Sequence, residues 1–325
     1  VGAAVAASFA AASLAPETGG TLSRAAARNW SPVYRLHTDP STEPELPYVG
    51  AKVLFKKDTR YHQLAVVQEG GRRTLRFGGS YQSEMFVNAP YRTAFEYTDY
   101  FFLGPAYDPA AKSVLFVGLG GGSAPKRFLR DFPELRLQAV ELDPVVVDVA
   151  HRFFAVPERL PVSVDDGRHW LDRHDGRWDV IAIDTFYADG VPFHLTTREF
   201  LELVRDRLAP GGVVVTNVIG AVKGPSSKLF RALYRTYREV FPTVAVHPVG
   251  GSPEAYGNVM IVATESAAPA KQFLRERWRA IRRAHPGAPS LDAAIRYRWD
   301  ALIPTRDVPT LTDAYAPVDA LLEVH

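Results

Sequence analysis

Hydrophobic residues follow two different spacings along this chain. From Ala51 to about Phe77 they fall in short β-type runs separated by polar and Gly-Gly turns, which predicts a small antiparallel sheet. From Ser113 onward, compact apolar runs alternate with segments of helical spacing. This alternation predicts an α/β class, with a doubly wound, mostly parallel sheet that follows the small antiparallel β domain.

The same runs predict individual elements. A helix is expected over residues 91–102, between the two sheets, and an antiparallel edge strand is expected over 258–263. The parallel strands are expected at 113–117, 136–141, 162–164, 180–184 and 213–218, with later helices at 196–208 and 226–241.

These patterns divide the chain into four expected parts. An N-terminal arm over 1–50 precedes the small sheet and its linking helix over 51–110. The main α/β domain covers 111–265, and a helical, then irregular extension covers 266–325.

The start of the arm is almost entirely small and apolar. At about 15 residues it is shorter than the ~20 residues that a membrane-spanning helix needs. It is the end of a membrane segment, the remainder of a signal peptide, or an Ala-rich helix packed on the body. A remnant or a packed helix is favoured.

Composition narrows the possible functions. Hydrophobic residues make up 46% and charged residues 23%, which is ordinary for a globular protein. The formal net charge of +2 gives no electrostatic case for nucleic acid. The chain has no cysteine, and its nine histidines lack metal-binding spacing, so no metal is expected. Single histidines such as His194 and His247 are interpreted as structural or surface residues.

A glycine-rich turn is the strongest chemical signal. The apolar run 114–117 leads into Gly118, Gly120 and Gly122, and a second apolar run ends at Glu141, about 20 residues on. Glycines let the chain turn sharply and approach a ligand, and the acid can accept hydrogen bonds from ribose hydroxyls. The spacing favours a ligand of the S-adenosylmethionine type over NAD. The alternative is an ordinary strand-to-helix turn.

Three acids stand at predicted strand ends. Because ligands of open α/β sheets bind outside the carboxyl ends of the strands, Glu141, Asp166 and Asp184 are expected around one site. Glu141 would hold the ribose, Asp166 would accept from the adenine amino group, and Asp184 would face the reacting centre. Each acid alone is better explained as a helix cap or turn former, whereas all three in sequence order favour a site.

Between Thr59 and Val262 the sequence resembles the spermidine synthase family of aminopropyltransferases. The resemblance implies a Rossmann-like methyltransferase fold, decarboxylated S-adenosylmethionine as co-substrate, and transfer of its aminopropyl group to a small-molecule amine. It also implies self-association as a homodimer or homotetramer. The residues that carry it are Tyr61, Gln82, Tyr97, Gly118, Gly120, Glu141, Asp143, Asp166, Gly167 and Asp184.

By this resemblance the site residues have three roles. Asp184 would accept a hydrogen bond or proton from the amine with help from Tyr97, for which a core aromatic is the alternative. The nucleoside would contact Gln82, Gly118, Gly120, Gly122, Glu141, Asp166 and Gly167, and the acceptor would contact Tyr61, Gly121, Tyr187 and Tyr256.

Two positions depart from the family's pattern. Gly121 stands where the family's glycine loop usually has an aspartate, and Tyr187 stands where its catalytic segment usually has another. An aspartate near the donor's tail would repel the carboxylate of intact S-adenosylmethionine, so its loss opens the site to that donor. Asp99 or Asp189 could compensate from other loops.

Two alternatives to aminopropyl transfer therefore stay open. The first is an S-adenosylmethionine-dependent methyltransferase or other alkyltransferase, and the second is a non-catalytic nucleoside-binding homologue. The segment Leu311–Val318 resembles bacterial relatives in which this domain follows membrane helices. That resemblance implies a cytoplasmic protein, or attachment at the cytoplasmic face of a membrane through the N-terminus.

Overall fold

The structure is a computed structural model that describes residues 51–185 and 191–322. Its first sheet is antiparallel, with the strands in sequence order. Gly70 and Gly78 take φ values of 53° and 54° in its turns, a region that glycine enters without strain. The strands are β1 (Ala51–Asp58), β2 (Gln63–Glu69), β3 (Arg72–Phe77) and β4 (Ser80–Phe86).

The second sheet has the order β10-β11-β9-β8-β5-β6-β7. The five strands β5 to β9 run parallel, while β10 and β11 run antiparallel to their neighbours. The predicted fold class, a Rossmann-like methyltransferase fold after a small antiparallel sheet, is confirmed. The strands are β5 (Ser113–Val117), β6 (Arg136–Glu141), β7 (Val162–Val164), β8 (Trp178–Ile183), β9 (Leu208–Gly220), β10 (Thr243–Pro248) and β11 (Gly257–Thr264).

Helices cover both faces of this sheet, and an apolar core lies on each side of it. They are α1 (Tyr97–Tyr100), α2 (Leu103–Tyr107), α3 (Ser123–Asp131), α4 (Pro144–Phe153), α5 (Gly167–Arg173), α6 (Arg198–Asp206), α7 (Lys228–Val240), α8 (Lys271–Ala284), α9 (Asp292–Arg296) and α10 (Val318–Leu321).

The two sheets share a hydrophobic cluster. Leu64 and Leu75 of the first sheet pack with Val146, Val149 and Phe154, which lie in or just after α4, and all five are fully buried. Burial of this size contributes roughly 1.5–3 kcal/mol for each large side chain. The small sheet is therefore fixed against the main domain, with β4 nearest the glycine turn.

Two predicted elements differ from the structure, and the sequence pattern does not predict the strands β4 and β10. Strand β11 is not an edge strand, because β10 lies outside it. Strand β10 is not predicted because the polar residue His247 interrupts its apolar pattern. In the structure His247 is buried and hydrogen-bonded to the Tyr107 hydroxyl and the Ala294 carbonyl. Strand β4 is not predicted because polar residues alternate along it. In place of one helix over 91–102, the structure has the two short helices α1 and α2.

The predicted N-terminal arm over 1–50 lies outside the described residues. Within 51–185 and 191–322, no helix is both long enough and apolar enough to cross a membrane.

The turn from β5 to α3 depends on one close backbone approach. Gly118 has a φ of 96°, and its amide donates to the Val140 carbonyl at 2.8 Å. A Cβ atom here would lie 2.1 Å from the Asp184 carbonyl oxygen, which is backbone and cannot rotate away. Only glycine permits β5 to end this close to the end of β8.

Gly118→Ala should therefore destabilise the fold far more than an alanine placed at another glycine with positive φ. Gly211 is the matched control, since its φ is 82° and nothing lies within 4 Å of its Cβ position. We expect losses of more than about 3 kcal/mol for Gly118→Ala and about 1 kcal/mol for Gly211→Ala. Urea unfolding would measure both, and similar losses would contradict the backbone collision.

Candidate active site

A cavity lies at the carboxyl ends of β5, β6, β8 and β9, with β4 closing one side. Ligands of open α/β sheets bind at this edge. Eight of the predicted site residues line it: Gln82, Tyr97, Gly118, Gly120, Glu141, Asp166, Gly167 and Asp184. The other walls include His62, Ser83, Leu142, Pro192, His194, Leu195, Asn217 and Ile219.

Glu141 ends β6 and is bonded to the glycine turn. Its Oε2 accepts from the amides of Leu119 and Gly120 at 2.9 and 3.2 Å, and its Oε1 accepts from the Asp143 amide at 3.1 Å. Burial raises the pKa of Glu141, although these three backbone donors oppose the rise. A carboxylate has about four acceptor positions, so one remains for a ligand hydroxyl.

Asp166 caps α5 and contacts a histidine across the cavity. Its Oδ1 accepts from the amides of Arg168 and His169, each at 3.0 Å. Its Oδ2 lies 2.8 Å from His194 Nε2. Burial opposes ionisation of Asp166, but the hydrogen bonds from His194 and the two amides outweigh it and lower the pKa.

Asp184 follows β8 and is held by two side-chain donors. Tyr97 Oη on α1 donates to its Oδ2 at 3.2 Å, and Asn217 Nδ2 on β9 donates to its Oδ1 at 2.9 Å. Asn258 on β11 in turn donates to Asn217 Oδ1 at 2.9 Å. Burial raises the pKa of Asp184 to about 6, and the two hydrogen bonds limit the rise. The carboxyl group can therefore exchange a proton near neutral pH.

Gly121 is not among the residues that line the cavity, and its predicted contact with the acceptor stays a prediction. Its amide donates to Ser83 Oγ at 2.8 Å, and a Cβ here would lie 2.7 Å from Ser83 Cβ and 3.1 Å from Phe154 Cδ1. The space that an aspartate would need is filled by Ser83. The polar group at this part of the cavity wall is a neutral hydroxyl.

Further predicted residues also lie outside the cavity wall. Gly122 faces the interior, because a Cβ here would lie 2.3 Å from Val156 Cγ2. Tyr61 is 40% exposed beside the cavity-lining His62, and Tyr256 is half-buried and is not among the lining residues. Asp99 cannot compensate for a missing acid, because it pairs with Arg127 and Thr93. Tyr187 and Asp189 lie outside the described residues.

Sequence reasoning missed several polar lining residues. Ser83 lies on the unpredicted strand β4, and Asn217 stands within an apolar run that predicts only a buried strand. His194 was interpreted as structural or surface, yet it faces the cavity and contacts Asp166. Its position in the sequence could have indicated this, because His194 lies in the loop that follows the strand-end residue Asp184. Within the described ranges, no group of three His, Asp or Glu side chains is arranged to hold a metal ion.

The fold and the cavity together define a Rossmann-like domain of the methyltransferase type, with acids from three successive strands facing one cleft. The sequence matches the spermine/spermidine synthase domain over residues 101–275, which is more than half of the chain. The protein belongs to this family.

Comparisons with individual proteins agree with this assignment. A polyamine aminopropyltransferase of Vibrio vulnificus is 28% identical over 287 residues, covering 83% of this chain and 91% of that protein. A probable spermidine synthase of Corynebacterium glutamicum superposes with a TM-score of 0.60 at 21% identity, covering 78% of this chain and 99% of that one. Human methyltransferase-like protein 13, solved with SAH, gives 0.51 at 24% identity, covering 61% and 95%. The structural likenesses show the fold alone.

The raised pKa of Asp184 predicts a pH-dependent cost to stability. In the unfolded chain this carboxyl ionises near pH 4, whereas in the folded protein it ionises near 6. Ionisation therefore favours the unfolded state as pH rises between these values, and the cost is constant above them. The stability of Asp184→Asn relative to wild type should rise by up to about 3 kcal/mol between pH 4 and 7.

Denaturant unfolding at both pH values would measure this change. Asp206→Asn, on the exposed surface of α6, is the control and should show no such widening. An equal difference at pH 4 and 7 for Asp184→Asn would contradict the assignment.

Proposed function

We propose that the protein transfers an aminopropyl group from decarboxylated S-adenosylmethionine to an amine acceptor and releases methylthioadenosine. The observation that carries this proposal is the Asp184 carboxyl group, held by Tyr97 and Asn217 in the same cavity as Glu141 and Asp166. The similarity to a polyamine aminopropyltransferase along most of the chain supports it.

The nucleoside end of the cavity suits adenosine. The free acceptor position of Glu141 would take a ribose hydroxyl, and the ionised Asp166 would accept from the adenine amino group. Leu142 and Leu195 supply apolar surface for the base. The hydrogen bonds from the Leu119 and Gly120 amides to the Glu141 carboxylate would fix the ribose relative to the glycine turn.

The reacting end suits a displacement by an amine. An alkylamine is mostly protonated at neutral pH and has no lone pair to attack with. With a pKa of about 6, Asp184 is mostly ionised at pH 7 and can take a proton from the amine nitrogen. The nitrogen then attacks the aminopropyl carbon, a C–N bond forms, and the C–S bond breaks. Its electrons return to sulfur, which leaves as a neutral thioether.

Asp184→Asn should slow this reaction strongly. An amide cannot accept the proton, so the turnover number should fall by about 10²–10⁴ while donor binding persists. Methylthioadenosine release from decarboxylated S-adenosylmethionine, with a panel of amines, would measure it. For the wild type, kcat/KM should rise with pH through about 6, where Asp184 ionises. No release with any amine would refute aminopropyl transfer.

Tyr97→Phe provides the matched variant for that assay. It removes one of the two donors that favour the ionised carboxylate, so the pH at half-maximal kcat/KM should move upward. An unchanged profile would separate Tyr97 from the titrating group.

Methyl transfer from intact S-adenosylmethionine is the second candidate function. It is favoured by the Gly121–Ser83 pair, which puts a hydroxyl where an aspartate would repel the donor's carboxylate. A structural neighbour solved with SAH is a methyltransferase-like protein, which is consistent with this alternative.

A double substitution would test how this wall selects the donor. Ser83→Gly frees the space and Gly121→Asp fills it with a carboxylate, which should strengthen the preference for the decarboxylated donor by about tenfold. Calorimetry with both donors would measure this. Gly121→Asp alone is the control, since its Cβ would meet Ser83 and destabilise the loop. A wild-type preference for the intact donor would favour methyl transfer.

Assembly and location stay predictions from the resemblance. A homodimer or homotetramer is expected, and light scattering would measure the mass in solution. Residues 1–50, through which membrane attachment was predicted, lie outside the described part of the chain.

A further inference from the structure

The C-terminal segment from Leu311 to Val318 contacts Arg168, which lies two residues after the cavity-lining Asp166. Asp313 in this segment forms a two-pronged ion pair with Arg168 of α5, with Oδ1 to Nη1 at 2.7 Å and Oδ2 to Nη2 at 2.6 Å. Paired parallel hydrogen bonds of this kind fix the plane of the guanidinium group. A residue far along the chain therefore sets the position of Arg168.

Arg168 connects two parts of the cavity wall. Its backbone amide donates to Asp166 Oδ1 at 3.0 Å, and its Nη1 also donates to the His194 carbonyl at 3.1 Å. The His194 ring then reaches Asp166 Oδ2 at 2.8 Å. Asp166, Arg168 and His194 thus form a closed ring of hydrogen bonds, which Asp313 holds from outside.

The segment itself is firmly attached. Leu311 is fully buried, and its carbonyl accepts from the Arg198 amide at 2.8 Å. The Asp313 amide donates to Glu199 Oε2 at 3.0 Å, and buried Thr197 donates its hydroxyl to Asp313 Oδ1 at 2.7 Å. These contacts join the segment to the start of α6, which closely follows the wall residues Pro192, His194 and Leu195.

We propose that Asp313 is a positioning residue for adenosine binding: through Arg168 it holds the His194 turn, and so keeps Asp166 oriented as an acceptor for the base. The inference rests on the proposed nucleoside site. Asp313 does not touch the cavity itself. Its effect is therefore on the affinity for the donor and not on the chemical step.

The carboxylate of Asp313 in the Asp313–Arg168 ion pair stays charged at neutral pH. The hydrogen bonds from Arg168 lower the pKa of Asp313 to about 2. Its contribution to donor affinity is consequently constant between pH 5 and 9.

Asp313→Asn tests the proposal. We expect about tenfold weaker binding of methylthioadenosine and of S-adenosylmethionine by calorimetry, as for the loss of one charge-assisted pair. In the aminopropyl transfer assay, KM for the donor should rise by the same factor, with kcat within about twofold. KM for the amine should not change.

Asp307→Asn is the matched control. Asp307 lies in the same C-terminal extension and also forms a two-pronged pair with an arginine, Arg231, but on α7 and away from the cavity. Its loss should leave nucleoside affinity unchanged. Equal weakening by both variants would mean general loosening of the extension and would overturn the proposal.

Two other results distinguish failure of the positioning role of Asp313 from failure of the proposed function. If wild type binds nucleoside and Asp313→Asn binds equally well, the positioning role is refuted and the proposed function stands. If wild type binds no adenosine nucleoside, both fail. Should Asp313→Asn not fold, Arg168→Lys replaces it, because lysine keeps the charge but cannot bridge Asp313 and the His194 carbonyl; unchanged affinity there would also refute the proposal.

Discussion

The close approach of Gly118 to the Asp184 carbonyl is the constraint on which the site depends. It joins the end of β5 to the end of β8, so the glycine turn and the reacting acid share one edge of the sheet. The Glu141 carboxylate then ties the same turn to the end of β6 through the Leu119 and Gly120 amides. The ends of β5, β6 and β8 are thereby held together by one close backbone approach and by the Glu141 carboxylate.

The three acids at this edge have different electrostatic environments. Backbone amides surround the buried Glu141, and a histidine and a helix N-terminus favour the charge on Asp166. Among the described residues, the side-chain donors to Asp184 are the neutral Tyr97 and Asn217. The pKa values of the acids diverge accordingly, since burial raises that of Asp184 to about 6 while hydrogen bonds lower that of Asp166. Two of these carboxylates are thus suited to binding and one to proton transfer.

The sequence was sufficient for the fold class and for the acids, because apolar periodicity and strand-end position are local signals. It was insufficient where a residue's neighbours come from distant segments. In the sequence, Asn217 is a single polar residue in an apolar strand. Its contact with Asp184 arises only because β9 pairs with β8. Ser83 could not be predicted because β4 itself was missed, and its meeting with Gly121 is a contact between two sheets. The predicted helix over 91–102 is wrong in its boundaries, because tertiary packing and not the spacing of apolar residues determines where α1 and α2 begin and end.

The cluster that joins the two sheets has a consequence for how this protein can be divided. Strand β4 supplies Gln82 and Ser83 to the cavity, and Leu64 and Leu75 hold that sheet on the Val146 face of α4. A fragment starting at β5 would expose this apolar face and leave the cavity open on one side. A fragment meant to bind the ligand therefore has to include the small sheet.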